Sequence, residues 1–393
     1  MTEPVPSPLT EDRRDLLVAL GASQAVPRSV ACRLAGRLEE WAACRWSAGG
    51  AAARALGVPE DALAAARELR REAPGIARAE RLRARELGGR VVTRDDPEYP
   101  PALSDLDLPP PALWIRGTAV PGAERSVAIV GSRRADPYGR EAAELFAREL
   151  AAAGLTVVSG FALGVDAAAH RGALTAAEDV AGEVGAAGPP AAPCLTVAVL
   201  GSGLGVDYPR GHRRLGERIA AAGAVVTEFP CGVAPEPWHF PVRNRLIAAL
   251  AAAVLVVRAA PRSGSLITAR LALDLGRDVF AVPGGIFDRR SHGTNALIAD
   301  GAYPALETRD ILEVLGVTPA TPAVPEDGPG PGKKPTGLRA RVLDALVPAE
   351  PTAPEALAAV LSEPIDRLLG VLLELELEGR IRREPGPTFV RRP

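Results

Sequence analysis

At 393 residues the chain is long for a single core, so two or three domains are expected. With 47% hydrophobic residues, 24% charged residues and a formal net charge of −2, it excludes a polycation that coats nucleic acid with its whole surface. A local basic groove stays open to it. Lysine occurs only at Lys333 and Lys334, so no Gly-Lys-Ser/Thr triplet exists for a Walker-type ATPase, and neither lysine is placed for Schiff-base chemistry.

Residues 1–8 read as a disordered tail. From residue 9 to 89 the pattern is helical: Asp15 to Leu20, Val30 to Trp41 and Leu56 to Leu69, punctuated by Gly21, Gly49, Gly50 and Pro59. This predicts a compact module of short helices, serving either as a packing or partner surface or as a contact for DNA backbone. Prolines between Asp95 and Pro111 force extended connections, and Ala112 to Arg116 is expected to be a strand.

Strand patterns then alternate with helical ones through a domain expected over 90–317. The strands are Val127–Val130, Thr156–Ser159, Thr196–Leu200, Val225–Thr227, Val254–Arg258 and Val279–Val282. Helices are expected over 140–153, 166–176, 211–222, 243–252 and 265–275. The alternation predicts an α/β fold, a Rossmann-like parallel sheet with helices on both faces. Ala177 to Cys194 reads as a surface insertion. A Pro/Gly-rich linker is expected over 318–337. Residues 338–393 restart as three helices (338–347, 354–361, 364–379) and a two-stranded ribbon, the pattern of a winged helix. Its third helix carries Glu363, Asp366, Glu374, Glu376 and Glu378 against Arg367, which disfavours approach to phosphates. A protein-interaction or regulatory role is the favoured expectation there.

The carboxyl ends of the strands carry the chemistry. Gly131-Ser132-Arg133 follows the first strand of the core, and Ser159-Gly160 and Gly201-Ser202-Gly203 follow the next two. Ser263-Gly264-Ser265 opens a later helix, where amides and hydroxyls form a phosphate nest. Arg133, Arg210, Arg243 and Arg245 lie along the same edge, the last two flanking Asn244. An arginine fork at such a site binds two oxygens of a phosphate or carboxylate.

Other chemistries lack their residues. No loop has the Gly-x-Gly-x-x-Gly spacing of a dinucleotide site, and neither a Gly-x-Ser-x-Gly elbow nor a His-Glu-x-x-His pair occurs. Asp166 and His170 share a helix face, a pattern read mainly as capping and packing. Cys32, Cys44, Cys194 and Cys231 form no Cys-x-x-Cys pair, which predicts a reducing cytoplasm and no structural metal. The apolar run Leu246 to Val257 is too short to cross a bilayer, and no leader pattern is read, so a cytoplasmic location is expected.

Five stretches together resemble one family. Val127 to Arg133, Val157 to His170, Val199 to Leu204, His239 to Ile247 and Arg262 to Ala269 are similar, in order, to the DNA-processing protein A family (DprA/Smf). Phe280 to Gly284 and Leu297 to Gly301 extend the match. The resemblance implies a non-catalytic protein without cofactor that binds single-stranded DNA, protects it, and helps load the RecA recombinase in transformation or recombination. It also implies a homodimer. By motif, Arg133 would be the main phosphate clamp, Gly131 and Ser132 would allow close backbone approach, and Arg210 and Arg243 would be secondary contacts. Leu163 departs from the pattern, since several relatives have a basic residue there. The competing reading is a nucleotide-binding or nucleoside-monophosphate phosphoribohydrolase-like enzyme. Pro283-Gly284-Gly285 and Gly293-Thr294 match its signature, but no glutamate lies between Ile286 and Tyr303.

Overall fold

The computed structural model describes residues 8–43, 49–183, 194–318, 338–346, 351–378, 380–384, 386 and 388–391. The expected tail lies outside the described residues except for Pro8, and the expected linker except for Thr318. Residues 1–319 form one compact unit and residues 320–393 another.

The first unit opens with α1 (Pro8–Ala22), α2 (Arg28–Gly36), α3 (Leu38–Ala43), α4 (Gly49–Leu56) and α5 (Glu60–Glu86). Leu17, Leu20, Leu34, Trp41, Leu56 and Leu63 close its core. Short helices were the expectation, but α5 runs 27 residues and carries Pro74 inside it. Proline removes one N–H from the helical ladder. The apolar face continues past it, with Ala66, Leu69, Ala73, Ala77 and Ala84 all buried at helical spacing, and burial outweighs the local break.

Nine strands form one sheet in the order β1-β2-β6-β5-β4-β3-β7-β8-β9. They are β1 (Gly89–Thr93), β2 (Ala112–Gly117), β3 (Ser126–Val130), β4 (Thr156–Ser159), β5 (Thr196–Val199), β6 (Ala224–Thr227), β7 (Ala253–Val256), β8 (Asp278–Ala281) and β9 (Tyr303–Pro304). The sheet is mixed rather than wholly parallel. β3 to β9 are parallel, whereas β2 runs antiparallel to β6 and β1 antiparallel to β2. Every residue of β3 to β7 is buried, as a sheet covered on both faces requires.

Alternation along β3 shows the two layers. Val127 and Ile129 pack with Phe146 of α6 (Pro137–Ala152) and Ala169 of α7 (Val165–Glu183). Ala128 and Val130 pack with Leu246 of α9 (His239–Ala249) and Ala269 of α10 (Ser265–Asp274). Between these lies α8 (Arg213–Ala222), and α11 (His292–Ala299) and α12 (Thr308–Val314) complete the unit. The helix α7 continues into the expected insertion as far as Glu183, because Ala177, Glu178 and Ala181 are good helix formers with no proline among them. Residues 184–193 lie outside the described residues.

The second unit comprises α13 (Leu338–Ala345), α14 (Pro354–Leu361), α15 (Ile365–Leu377) and an antiparallel ribbon of β10 (Ile381–Glu384) and β11 (Thr388–Arg391). Val342, Leu357, Leu368, Leu372, Ile381 and Phe389 form its core. No helix among the described residues is long and apolar enough to cross a membrane.

Candidate functional site

Strand order places the site. From β3 the chain adds strands on one side as far as β6, then returns to start the other side with β7. The crevice between the carboxyl ends of β3 and β7 is therefore a topological switch point, where open α/β sheets bind ligands. A pocket of about 740 Å³ lies there, with Arg133, Arg262, Tyr208 and Phe240 in its walls.

Gly131, Ser132, Arg133, Arg243, Asn244, Ser263, Gly264 and Ser265 are all brought to this pocket. The corner is tied to the start of α7. A Cβ on Gly131 would lie 2.7 Å from Val165, so that glycine serves helix packing. The Ser132 carbonyl accepts from the Val165 N–H at 3.2 Å, and its hydroxyl accepts from the Arg134 N–H at 3.1 Å. Gly164 has φ +79°, and a side chain there would collide with the Ser132 carbonyl. Held in this way, Arg133 is exposed and stacks its guanidinium 4.5 Å from the Phe240 ring centroid.

Arg243 lines the pocket but is already engaged by carbonyls of the protein itself. Only 3% exposed, it donates to the Gly160 and Val199 carbonyls, below the pocket. Burial pulls its pKa down to about 10, against the attraction of Asp166. Burial likewise pushes the Asp166 carboxyl above the usual carboxylate range, opposed by Arg243 and by the Ala162 N–H at 3.2 Å. His170 is fully buried with its Nδ1 2.7 Å from the Thr196 hydroxyl. Desolvation lowers its pKa to about 3, so the ring is neutral. His170 is packed scaffold, whereas Asp166, also buried, lines the pocket. Asn244 reaches the Gly264 carbonyl at 3.4 Å, and the hydroxyls of Ser263 and Ser265 lie 2.8 Å apart at the start of α10.

Two expected residues stand apart. Arg245, next to the pocket residue Asn244, points elsewhere: it pairs with the buried Glu228 at 2.6 Å and donates to the Leu108 carbonyl at 2.8 Å. Arg28 of the helical module meets the same carboxylate at 3.1 Å. On a helix, neighbours in sequence face about 100° apart, which separates 244 from 245. Arg210 is exposed in the turn before α8 and does not line the pocket. Leu163, the departure noted in the sequence, is 52% exposed and supplies no cation. Pro283-Gly284-Gly285 closes on Asn295, whose side chain accepts from the Gly284 N–H at 3.1 Å and donates to its carbonyl at 2.9 Å.

Arg262, Tyr208 and Phe240 were not among the expected site residues. Arg262 is exposed and, among the described residues, neither it nor Arg133 has a carboxylate partner. The available signal was aromatics interleaved with arginines: Tyr208 two residues before Arg210, and Phe240 three before Arg243. The rings of Tyr208 and Phe240 lie 5.5 Å apart. No group of three or more His, Cys, Asp or Glu suited to a metal ion occurs among the described residues.

Comparison with known proteins decides the family. Residues 90–316 match the model of DNA recombination-mediator protein A, and residues 325–387 match the DprA winged helix domain. The chain belongs to the DprA/Smf family. Protein Smf of Synechocystis is 36% identical over 337 residues, spanning 77% of this chain and 80% of that one. Protein Smf of Escherichia coli is 39% identical over 299 residues, 75% of this chain and 76% of its own. Among solved structures, DNA processing protein A from Streptococcus pneumoniae superposes with a TM-score of 0.63 at 30% identity, covering 76% of this chain and 97% of that one. The DprA/Smf match thus spans both the sheet and the winged helix, and the pocket lies within the part matched at 90–316.

Proposed function

We propose that this protein binds single-stranded DNA at the switch-point pocket, without catalysing a reaction on it. The observation that carries the reading is that Arg133 and Arg262 line the pocket exposed and form no ion pair among the described residues, although Asp166, buried and acting on Arg133 from a distance, and Glu236, engaged by the Trp238 N–H, line it too. Beside them, Phe240 and Tyr208 offer rings on which unpaired bases stack regardless of sequence. Duplex DNA hides its base faces, so a pocket combining arginines with aromatics favours a single strand. The α10 N-terminus, with Ser263 and Ser265, adds donors for a further phosphate.

In this reading the strand is protected while bound and passed to a RecA-type recombinase, with the protein acting as a cytoplasmic homodimer. Family membership supports that role, and the pocket geometry supports the strand-binding step. Fluorescence anisotropy with a labelled oligonucleotide tests it, single-stranded beside duplex. Arg133→Ala is expected to weaken single-strand binding about ten- to hundredfold, the value of a charge-assisted hydrogen bond. If about four phosphates are neutralised, log affinity falls with log salt at a slope of about −3. Full affinity in Arg133→Ala would refute the reading. Recombinase delivery is measured separately, as faster recombinase assembly on a single strand when the protein is present.

A further inference from the structure

We propose that a second cavity beside the pocket holds a neighbouring nucleotide of the same strand and favours bases with an exocyclic amine over thymine. This rests on the strand-binding reading of the first pocket. The second cavity, of about 410 Å³, shares Tyr208 with the first, so a strand that crosses Tyr208 leaves one and enters the other.

Its walls suit a nucleotide. Phe161, Leu200 and Leu204 supply an apolar floor, and His212 stands edge-on to the Phe161 ring at 5.2 Å. Phe161 has φ +61°, a left-handed conformation that bulky side chains rarely adopt, held at this edge of the sheet. Such strain gathers where a side chain must point in one direction for a purpose other than packing.

The polar groups divide by sign. Arg116, half-buried at the end of β2, has no side-chain ion pair or hydrogen bond among the described residues and lines the cavity. Arg213 is engaged by Glu217 at 3.1 Å. Asp207, exposed at the rim, has no ion pair or hydrogen bond among the described residues either. A phosphate is attracted to Arg116 and repelled by Asp207, which leaves the carboxylate to face the base edge. A carboxylate only accepts hydrogen bonds, so it matches the amino groups of cytosine, adenine and guanine. Thymine has no exocyclic amine, and its one edge donor, N3–H, sits between two carbonyl oxygens that repel a carboxylate.

The experiment compares oligo-dC and oligo-dT of about twelve nucleotides, a length within single-strand site sizes, on the full chain and three variants. Arg116→Ala is expected to weaken both oligonucleotides about threefold to tenfold and to reduce the salt slope by about 0.7, one phosphate contact. Asp207→Ala is expected to lower the dC-to-dT affinity ratio about threefold, and comparing variants of one protein cancels the intrinsic stacking of each strand. Equal thermal midpoints show that the variants fold. If Arg116→Ala and Asp207→Ala bind like the unchanged protein while Arg133→Ala is weakened, the second site is wrong and the first stands. If Arg133→Ala binds fully, the underlying reading fails instead. Free deoxycytidine monophosphate is the remaining arm. Arg116-dependent binding of it, with no Arg116 dependence for oligonucleotides, would make this a free-nucleotide site and overturn the assignment to the strand.

Discussion

The switch-point pocket and the helices of the winged helix make opposite use of arginine. In the pocket, Arg133, stacked on Phe240, and Arg262 are exposed and form no ion pair among the described residues. In the winged helix, Arg339 pairs with Glu378, while Arg341 and Arg367 both meet Glu363, at 2.9 and 3.3 Å. A winged helix is widely used to read duplex DNA, yet its third helix here presents Asp366, Glu374 and Glu378 to solvent. At the ribbon of the winged helix, two exposed arginines have no carboxylate partner among the described residues, Arg380 and Arg383, the latter 5.4 Å from the Phe389 ring centroid, so the contrast holds for the three helices alone. Electrostatic availability, rather than fold type, is thus what sets the sheet-edge pocket apart from the helices of the second unit.

The sharpest way to break this contrast is to remove both free arginines. Arg133→Ala with Arg262→Ala is expected to cost more than hundredfold in single-strand affinity, since each contact alone contributes about 1.5–3 kcal/mol. Their effects should add only roughly, because both face one pocket. Anisotropy on the double variant checks this. Residual binding within tenfold of the unchanged protein would move the main site elsewhere, with the winged helix as the next place to look.

How much of this was legible beforehand depended on what each residue needed from the rest of the chain. The parallel strands were readable because Val127–Val130 and Val254–Val257 are short apolar runs between turns. The corner Gly131-Ser132-Arg133 stood out because it is one of several glycine- and serine-rich turns at strand ends along one edge, whereas a single such turn is common. The antiparallel edge β1–β2 was not recognised, since strand direction depends on which neighbour Trp114 and Ile115 find, and that neighbour is β6, more than a hundred residues later in the chain. Arg243 and Arg245 look alike in sequence. One is buried beneath the pocket and the other is drawn off by Glu228, and neither partner is local. Arg262 went unselected because Ser263-Gly264-Ser265 beside it carried the stronger signal.

Below the pocket, α7 carries a buried neutral imidazole, whereas residues 338–393 contain no histidine. His170 in the folded state has a pKa of about 3, against 6.5 for an unperturbed ring, because it is fully desolvated. The unfolded chain therefore takes up the proton first as pH falls. Above pH 6.5 the ring is neutral in both states and contributes no pH dependence. Between pH 6.5 and about 3, His170 is expected to remove about 1.4 kcal/mol of stability per pH unit. Denaturant unfolding of the full chain at pH 7.5 and 5.5, beside His170→Gln, isolates the effect, and the variant should show the flatter profile. An equally steep loss in His170→Gln would assign the pH dependence to other groups.

The smallest expected effect is the most direct test of the winged helix. Arg339, Arg341 and Arg367 are already occupied by Glu374, Glu378 and Glu363, so replacing all three with alanine removes no cation that DNA could use. Single-strand affinity should change less than twofold, and the salt slope should stay the same, because no phosphate contact is lost. Surface pairs of this kind contribute little to stability, so the variant should still fold. A tenfold loss of affinity with a shallower salt slope would mean that these arginines exchange their glutamates for phosphates when DNA arrives. That outcome would show pairing in the unbound protein to be a poor guide to availability, and the ion pairs would then hold the winged helix off DNA until a strand displaces them.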